Sequence, residues 1–212
     1  MEPLRTEVEV PTGDVDPSPA TVAAVGAPFS LAEIDRRVAR FVWLERRRFE
    51  LLGGWAPTVA ELDVKALLAT QAHHHAWHAS LWEDHLPRRT GHDSAATKGA
   101  VDERLRAVIH AVGRPETTLE RLVGAYRVLA AHAIAAYTRH LERSRPPGDA
   151  ALARTCRLIL ADQLDDWRQG ELALQSLLGS GDDVDRGGAH QVHLERLLVE
   201  AGGFAGCGEE GA

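Results

Sequence analysis

The sequence predicts an all-α protein organised as a bundle of four long helices, and three observations predict it. Four segments carry apolar residues at the three- and four-residue spacing of an amphipathic helix. Short turns join the first segment to the second and the third to the fourth. One connection of about 30 residues separates the two pairs, enough to carry the chain from one end of a bundle to the other.

Each element has its own signals. Residues 1–28 are expected as a poorly ordered tail, because Pro3, Pro11, Pro17, Pro19 and Pro28 interrupt a polar stretch with little to bury. The first helix starts at Ser30, a cap with Glu33 as its capping-box partner and Phe29 and Ile34 as a hydrophobic staple. Its stripe of Leu31, Ile34, Val38, Phe41, Val42, Phe49 and Leu52 stops at Gly53-Gly54. Thr58, with Glu61, is expected to cap a second helix reaching Leu86, ended by Pro87. The long crossover holds a small helix around Val101 to Ala111. The third long helix runs from Thr117 to Arg143 before Pro146-Pro147-Gly148, and the fourth from Asp149 to Leu178. The domain is therefore expected over 29–180. In the extension 181–212, "GSGDDVDRGG" reads as a break, and a short helix from Ala189 to Glu200 precedes a fraying, flexible tail.

Composition narrows the function. A net charge of -7 argues against nucleic acid and anionic membrane as partners. Cys156 and Cys207 are too few for a disulfide framework or a cysteine zinc site. The opening residues lack the apolar core of a secretory signal, and no uninterrupted apolar run reaches about 18 residues, so a cytoplasmic location is expected. A phosphate loop and a Gly-x-Ser-x-Gly nucleophile elbow are both missing.

The chemistry concentrates in "QAHHHAWHASLWEDH", Gln71 to His85. Helical spacing gathers Gln71, His74, His78 and His85 near one face, with His73 beside it and His75 turned further round. His74 and His78, four residues apart, suit a shared metal or proton transfer near neutral pH. On the fourth helix Asp162 shares a face with Asp166, a pair suited to a metal or to acid and base roles.

The order of elements resembles the ferritin-like superfamily over about Ser30 to Leu178. That resemblance implies a four-helix bundle with its long crossover between helices two and three, often holding two iron or manganese ions for oxygen-dependent oxidation. The family's mark is a Glu on two helices and Glu-x-x-His on the other two. This chain departs from it, with Gln71-Ala72-His73-His74 on the second helix and Asp162 to Asp166 without histidine on the fourth.

Counting about 1.5 Å per residue from the helix ends puts Asp35, His74, His132 and Asp162 in one layer. Glu45 passes the angular test and fails this depth test. The expected metal ligands are accordingly Asp35, Glu45, His74, His132 and Asp162. The expected acid and base groups are His74, His78, Asp162 and Asp166. Gln71, Trp77, Tyr126 and Trp167 are expected to wall a substrate pocket. The leading function is a metal-dependent oxidoreductase or oxygenase acting on a small organic substrate in specialised metabolism, with iron or manganese, mononuclear or dinuclear. A metal-independent lyase, cyclase or isomerase and a noncatalytic assembly bundle stay open beside it, as does a homodimer.

Overall fold

The computed structural model describes residues 28–86, 101, 103–145 and 147–204, and among these all regular structure is helical. Helix α1 spans Leu31–Trp55, α2 Leu62–Glu83 and α3 Glu103–Gly113. Helix α4 opens with a turn at Thr118–Leu122, continues through a π-helical stretch at Val123–Ala130 and closes at Ala131–Glu142. Helices α5, Ala150–Ser176, and α6, Gly181–Glu200, complete the set.

Cross-helix pairs fix the directions. Phe41 meets Trp82, Glu45 meets His75 and Gly53 approaches Ala72, so α1 and α2 are antiparallel. His85 bonds Thr155, His78 bonds Asp162 and Gln71 bonds Asp166, so α5 runs against α2. Arg127 pairs with Glu171 and Cys156 contacts the Tyr137 carbonyl, so α4 runs against α5. Helices α2 and α4 therefore point the same way, and the chain between them must travel the length of the molecule. Helix α3 lies in that connection and packs on α6, which in turn packs on the π-helical stretch of α4.

The capping box at Ser30 and Glu33 forms as its sequence predicts, and Thr117 accepts a bond from the Glu120 amide. Four expectations need correction. Gly53-Gly54 does not stop α1, which continues through Trp55 because both glycines sit inside a helix already packed on α2. Thr58 does not cap α2. Its hydroxyl donates to the Trp55 carbonyl, finishing the turn after α1, and α2 starts at Leu62. Leu31 and Phe49, both in the expected apolar stripe, are exposed rather than in the core. The extension is no break with a short helix. Ser180 accepts the Asp183 amide, acidic residues occupy the first turn, and α6 runs for 20 residues.

Helix α6 then ends without fraying. Gly202 and Gly203 take positive φ, and the Gly203 amide reaches the Leu198 carbonyl, the Schellman arrangement that only a left-handed residue permits. Phe204 follows, buried against His132. The expectations for residues 1–27, for Pro87 and for 205–212 lie outside the described residues.

Among the described residues the interior is apolar except for one polar layer and His140, which lies among aromatic rings. Leu68, Leu105, Leu122, Leu129, Ile159 and Leu174 lie in the core, and within it are buried Glu45, Arg48, Gln71, His75, His78, Gln163 and Asp166. Such a concentration of polar groups costs several kcal/mol of desolvation unless each finds a partner. Their partners define the candidate site.

Candidate metal and proton-transfer centre

Helix α2 supplies the histidines. The buried ladder Leu68, Ala72, His75, Ala79 and Trp82 places His75 in the face turned inward, with Gln71 and His78 flanking it. His75 Nδ1 lies 2.6 Å from Glu45 Oε2, and His78 Nδ1 lies 3.8 Å from the same oxygen. Helix α1 brings Glu45 and, one turn on, Arg48, whose guanidinium stands 3.7 Å from the other Glu45 oxygen. The Tyr137 hydroxyl donates to that second oxygen from α4.

Helix α5 closes the centre. Arg48 donates to the Gln163 carbonyl oxygen, which fixes the amide so that its nitrogen lies 3.4 Å from His75 Nδ1 and 3.3 Å from His78 Nδ1. Asp162 meets His78 Nε2 at 3.1 Å, and Asp166 meets His74 Nδ1 at 3.0 Å. The last contact is anchored behind. The Gln71 amide donates to the Asp166 carbonyl at 3.0 Å, and the Tyr126 hydroxyl donates to Gln71 at 2.8 Å.

Tyr126 belongs to the π-helical stretch, a geometry that is rare and frequent at functional sites. Its ring occupies the space that Gly170 leaves open. A Cβ on Gly170 would fall 2.1 Å from the ring.

Charge is distributed unequally. Burial alone would raise the Glu45 carboxyl, but His75, His78 and Arg48 reverse this and hold it well below the usual carboxylate range. Burial and the nearby Arg48 push His75 down to about 4, so it is neutral at pH 7 despite Glu45. Burial also disfavours protonated His78, yet its bonds to Glu45 and Asp162 outweigh that and raise it. Burial raises the Asp166 carboxyl, opposed by His74. Adjacent groups are thus driven in opposite directions, as acid and base roles require.

The donor set suits one divalent ion. Glu45, His75 and His78 each offer an atom, and these atoms lie within 4.8 Å of one another. Ligands about 2.1 Å from a common ion stand roughly 3–4 Å apart, which the 3.8 Å between His78 and Glu45 meets, while the 2.6 Å hydrogen bond between His75 and Glu45 must lengthen as the ion takes the place of its proton. His78 turns Nδ1 inward while Asp162 holds its Nε2 from behind, the carboxylate–histidine support that orients metal-bound imidazoles. His75 Nε2 is buried without a partner, so only one of the two imidazoles has that support.

Solvent reaches the centre from one side. The His74 and Asp162 side chains are 34% and 37% exposed, and Trp77, 45% exposed, sets its ring 5.8 Å from His78. Glu45 lies at the closed end.

The predicted layer of Asp35, His74, His132 and Asp162 is not a layer. His132 faces α6 and pairs with Glu195 at 2.7 Å, on a different face of α4 from Tyr137, because α6 covers that face. Asp35 is half-buried and outside the three-ligand group. His74 pairs with Asp166 at the solvent edge and does not join that group either. Glu45, which failed the depth count, sits at its heart. The count failed because α1 ends three residues later and α2 starts four residues later than expected, which slides the two helices against each other.

His75 was missed for a different reason. Centring the face on His74 turned it away, whereas the apolar ladder through Leu68, Ala72, Ala79 and Trp82 points to it. Among the expected substrate residues, Trp77 lines the open side. Gln71 and Tyr126 are buried and tied to each other, and Trp167 packs half-buried on the core. Arg48 and Gln163 carry no sequence signal of their own, since an arginine or glutamine on a helix is ordinarily a surface residue.

Comparison with protein-family models, with curated proteins and with solved structures finds no match to this chain. No helix among the described residues is long and apolar enough to cross a membrane.

Proposed function

We propose that the chain is a ferritin-like enzyme whose centre binds one divalent metal ion, iron or manganese, and oxidises a small organic substrate. The observation that carries this reading is the convergence of His75 Nδ1 and His78 Nδ1 on one Glu45 oxygen, with Asp162 bracing His78 from behind. Two imidazoles and one carboxylate with room for further ligands are the donor set of non-haem iron oxygenases. Bound there, the ion would supply activation of oxygen or peroxide.

The chain's own groups divide the remaining work. Trp77 and the exposed edges of His74 and Asp162 face the approaching substrate. Asp166 and His74 form a pair able to hold or pass a proton at the His74 ring. Tyr137 keeps Glu45 oriented, and the apolar shell excludes water from the closed end.

A second reading is favoured by Gln163. Its amide lies on the edge shared by both Nδ1 atoms, and Arg48 already balances the Glu45 charge. On that reading the centre is a metal-free proton relay serving a lyase or isomerase, with His78 and Asp162 as the working pair.

Reconstitution with Fe(II) or Mn(II), followed by metal analysis of the wild type and of His78→Ala and Glu45→Gln, separates the two. The metal reading expects about one ion per wild-type chain and less than about a tenth of that in either variant. No retained ion in the wild type overturns it.

A further inference from the structure

A second concave site lies on the opposite side of α1 from Glu45. Trp43 and Arg47, one turn apart, face away from the polar layer and toward α3. From α3, Arg106 and His110 stand four residues apart on one stripe, and Arg114, in the turn that follows the helix, lines the same cleft. The two stripes enclose a cleft of about 420 Å³, within the range of small-molecule pockets.

The lining combines charge with an apolar wall. Three guanidiniums face one lining carboxylate, Glu50, in a chain whose net charge is -7. A concave surface concentrates that local positive field where the molecule as a whole repels anions. Arg106 places its guanidinium 5.7 Å from the Trp43 ring centroid. Arg47 pairs with Glu50 through one terminal nitrogen, and its Nε is buried without an acceptor. Leu51 forms the apolar side, and Gly113 keeps the floor open, since a Cβ there would meet Leu51 at 3.2 Å.

We propose that this cleft binds a small organic anion, a carboxylate or phosphate ester whose ring or short hydrocarbon body lies along Trp43 and Leu51. Arginine forks match the planar oxygens of either head group, and the three guanidiniums, two of them partly balanced by Glu50 and Glu103, favour negative charge. The site is separate from the metal and proton-transfer centre, so its occupancy does not depend on a bound ion.

The test is a titration of the full chain with 1-naphthyl phosphate, 2-naphthoate, neutral 1-naphthol and inorganic phosphate, followed by calorimetry and tryptophan fluorescence. One naphthyl anion is expected to bind per chain, with naphthol and inorganic phosphate each at least about tenfold weaker. The stronger of the two anion arms identifies the head group. The double variant R47Q/R114Q is expected to weaken the anion by about tenfold or more, with naphthol unchanged and the helical circular dichroism spectrum retained. H78A is expected to bind the anion as the wild type does. Equal binding of naphthol, equal binding of inorganic phosphate, an unchanged dissociation constant in R47Q/R114Q, or no saturation by about 1 mM anion would each overturn the proposal.

Discussion

Glu45 and Phe41 lie one turn apart on α1, and the layers they enter treat a buried histidine in opposite ways. In the Glu45 layer His78 has a carboxylate at each ring nitrogen, and His75 has one. In the Phe41 layer His140 lies among Phe29, Phe41 and Trp82, and neither of its nitrogens has a hydrogen-bond partner among the described residues. Burial and the nearby Arg37 push His140 down to about 4, so it packs as a neutral ring. Tyr137 spans both layers, with its ring edge-on to Phe41 and its hydroxyl on Glu45. Burial alone therefore does not mark a histidine as chemical. What distinguishes the two layers is whether charged groups from other helices were brought to meet it.

Breaking the polar layer should have the largest effect. Glu45→Ala removes the acceptor of His75 and Tyr137 and leaves the Arg48 charge buried without its nearest carboxylate. An uncompensated buried charge costs about 3–5 kcal/mol. The expected result is a loss of that size in urea unfolding, with Glu45→Gln recovering part of it by keeping the hydrogen bonds. A loss below about 1 kcal/mol would show that the layer is not electrostatically coupled.

The aromatic layer predicts an opposite response to acid. His140 has its value lowered on folding from the ordinary 6.5 to about 4, so the unfolded chain takes up its proton first as pH falls. The corresponding stability is complete above about pH 6.5 and is lost toward pH 4, by about 3 kcal/mol at the lower end. His140→Leu has no proton to take up and should be at least as stable as the wild type at pH 7.5. Its advantage should widen by that amount at pH 4. His75, lowered in the same way, keeps part of the acid sensitivity in the variant. Parallel stability curves for variant and wild type between pH 7.5 and 4 would contradict this account.

Why the sequence revealed one kind of feature and not another follows from the same contrast. The four long helices, the capping box at Ser30, the helix start at Thr117 and the long crossover are set by local patterns and were legible. The register between α1 and α2 was not, because Thr58 and Glu61 resemble a capping box and serve instead in the turn. That local ambiguity put Asp35 into the expected layer and Glu45 at another depth, although Glu45 stayed among the expected ligands. His132 was misplaced by a long-range event, the docking of α6, whose glycine- and aspartate-rich start resembles a linker until Ser180 caps it. Partners such as Gln163 for Arg48 belong to helices more than a hundred residues apart, where no spacing rule reaches.

The smallest expected effect concerns the support behind Asp166, and it tests how far the polar layer extends. The Tyr126 hydroxyl donates to Gln71, which donates to the Asp166 backbone, so Tyr126 touches the His74–Asp166 pair only through an intermediary. Tyr126→Phe keeps the ring in the space opposite Gly170 and deletes one buried hydrogen bond, for a cost of about 1–2 kcal/mol. Gly170→Ala leaves the hydroxyl intact but drives a methyl into the ring, so it should cost as much or more through overpacking, about 1–3 kcal/mol. If Gln71 transmits order to Asp166, the His74 ring resonances should shift in both variants while those of His140 stay in place. Unmoved His74 resonances in Tyr126→Phe, with stability reduced as expected, would confine the polar layer to Glu45, His75, His78 and their immediate partners and make the π-helical stretch a packing device only.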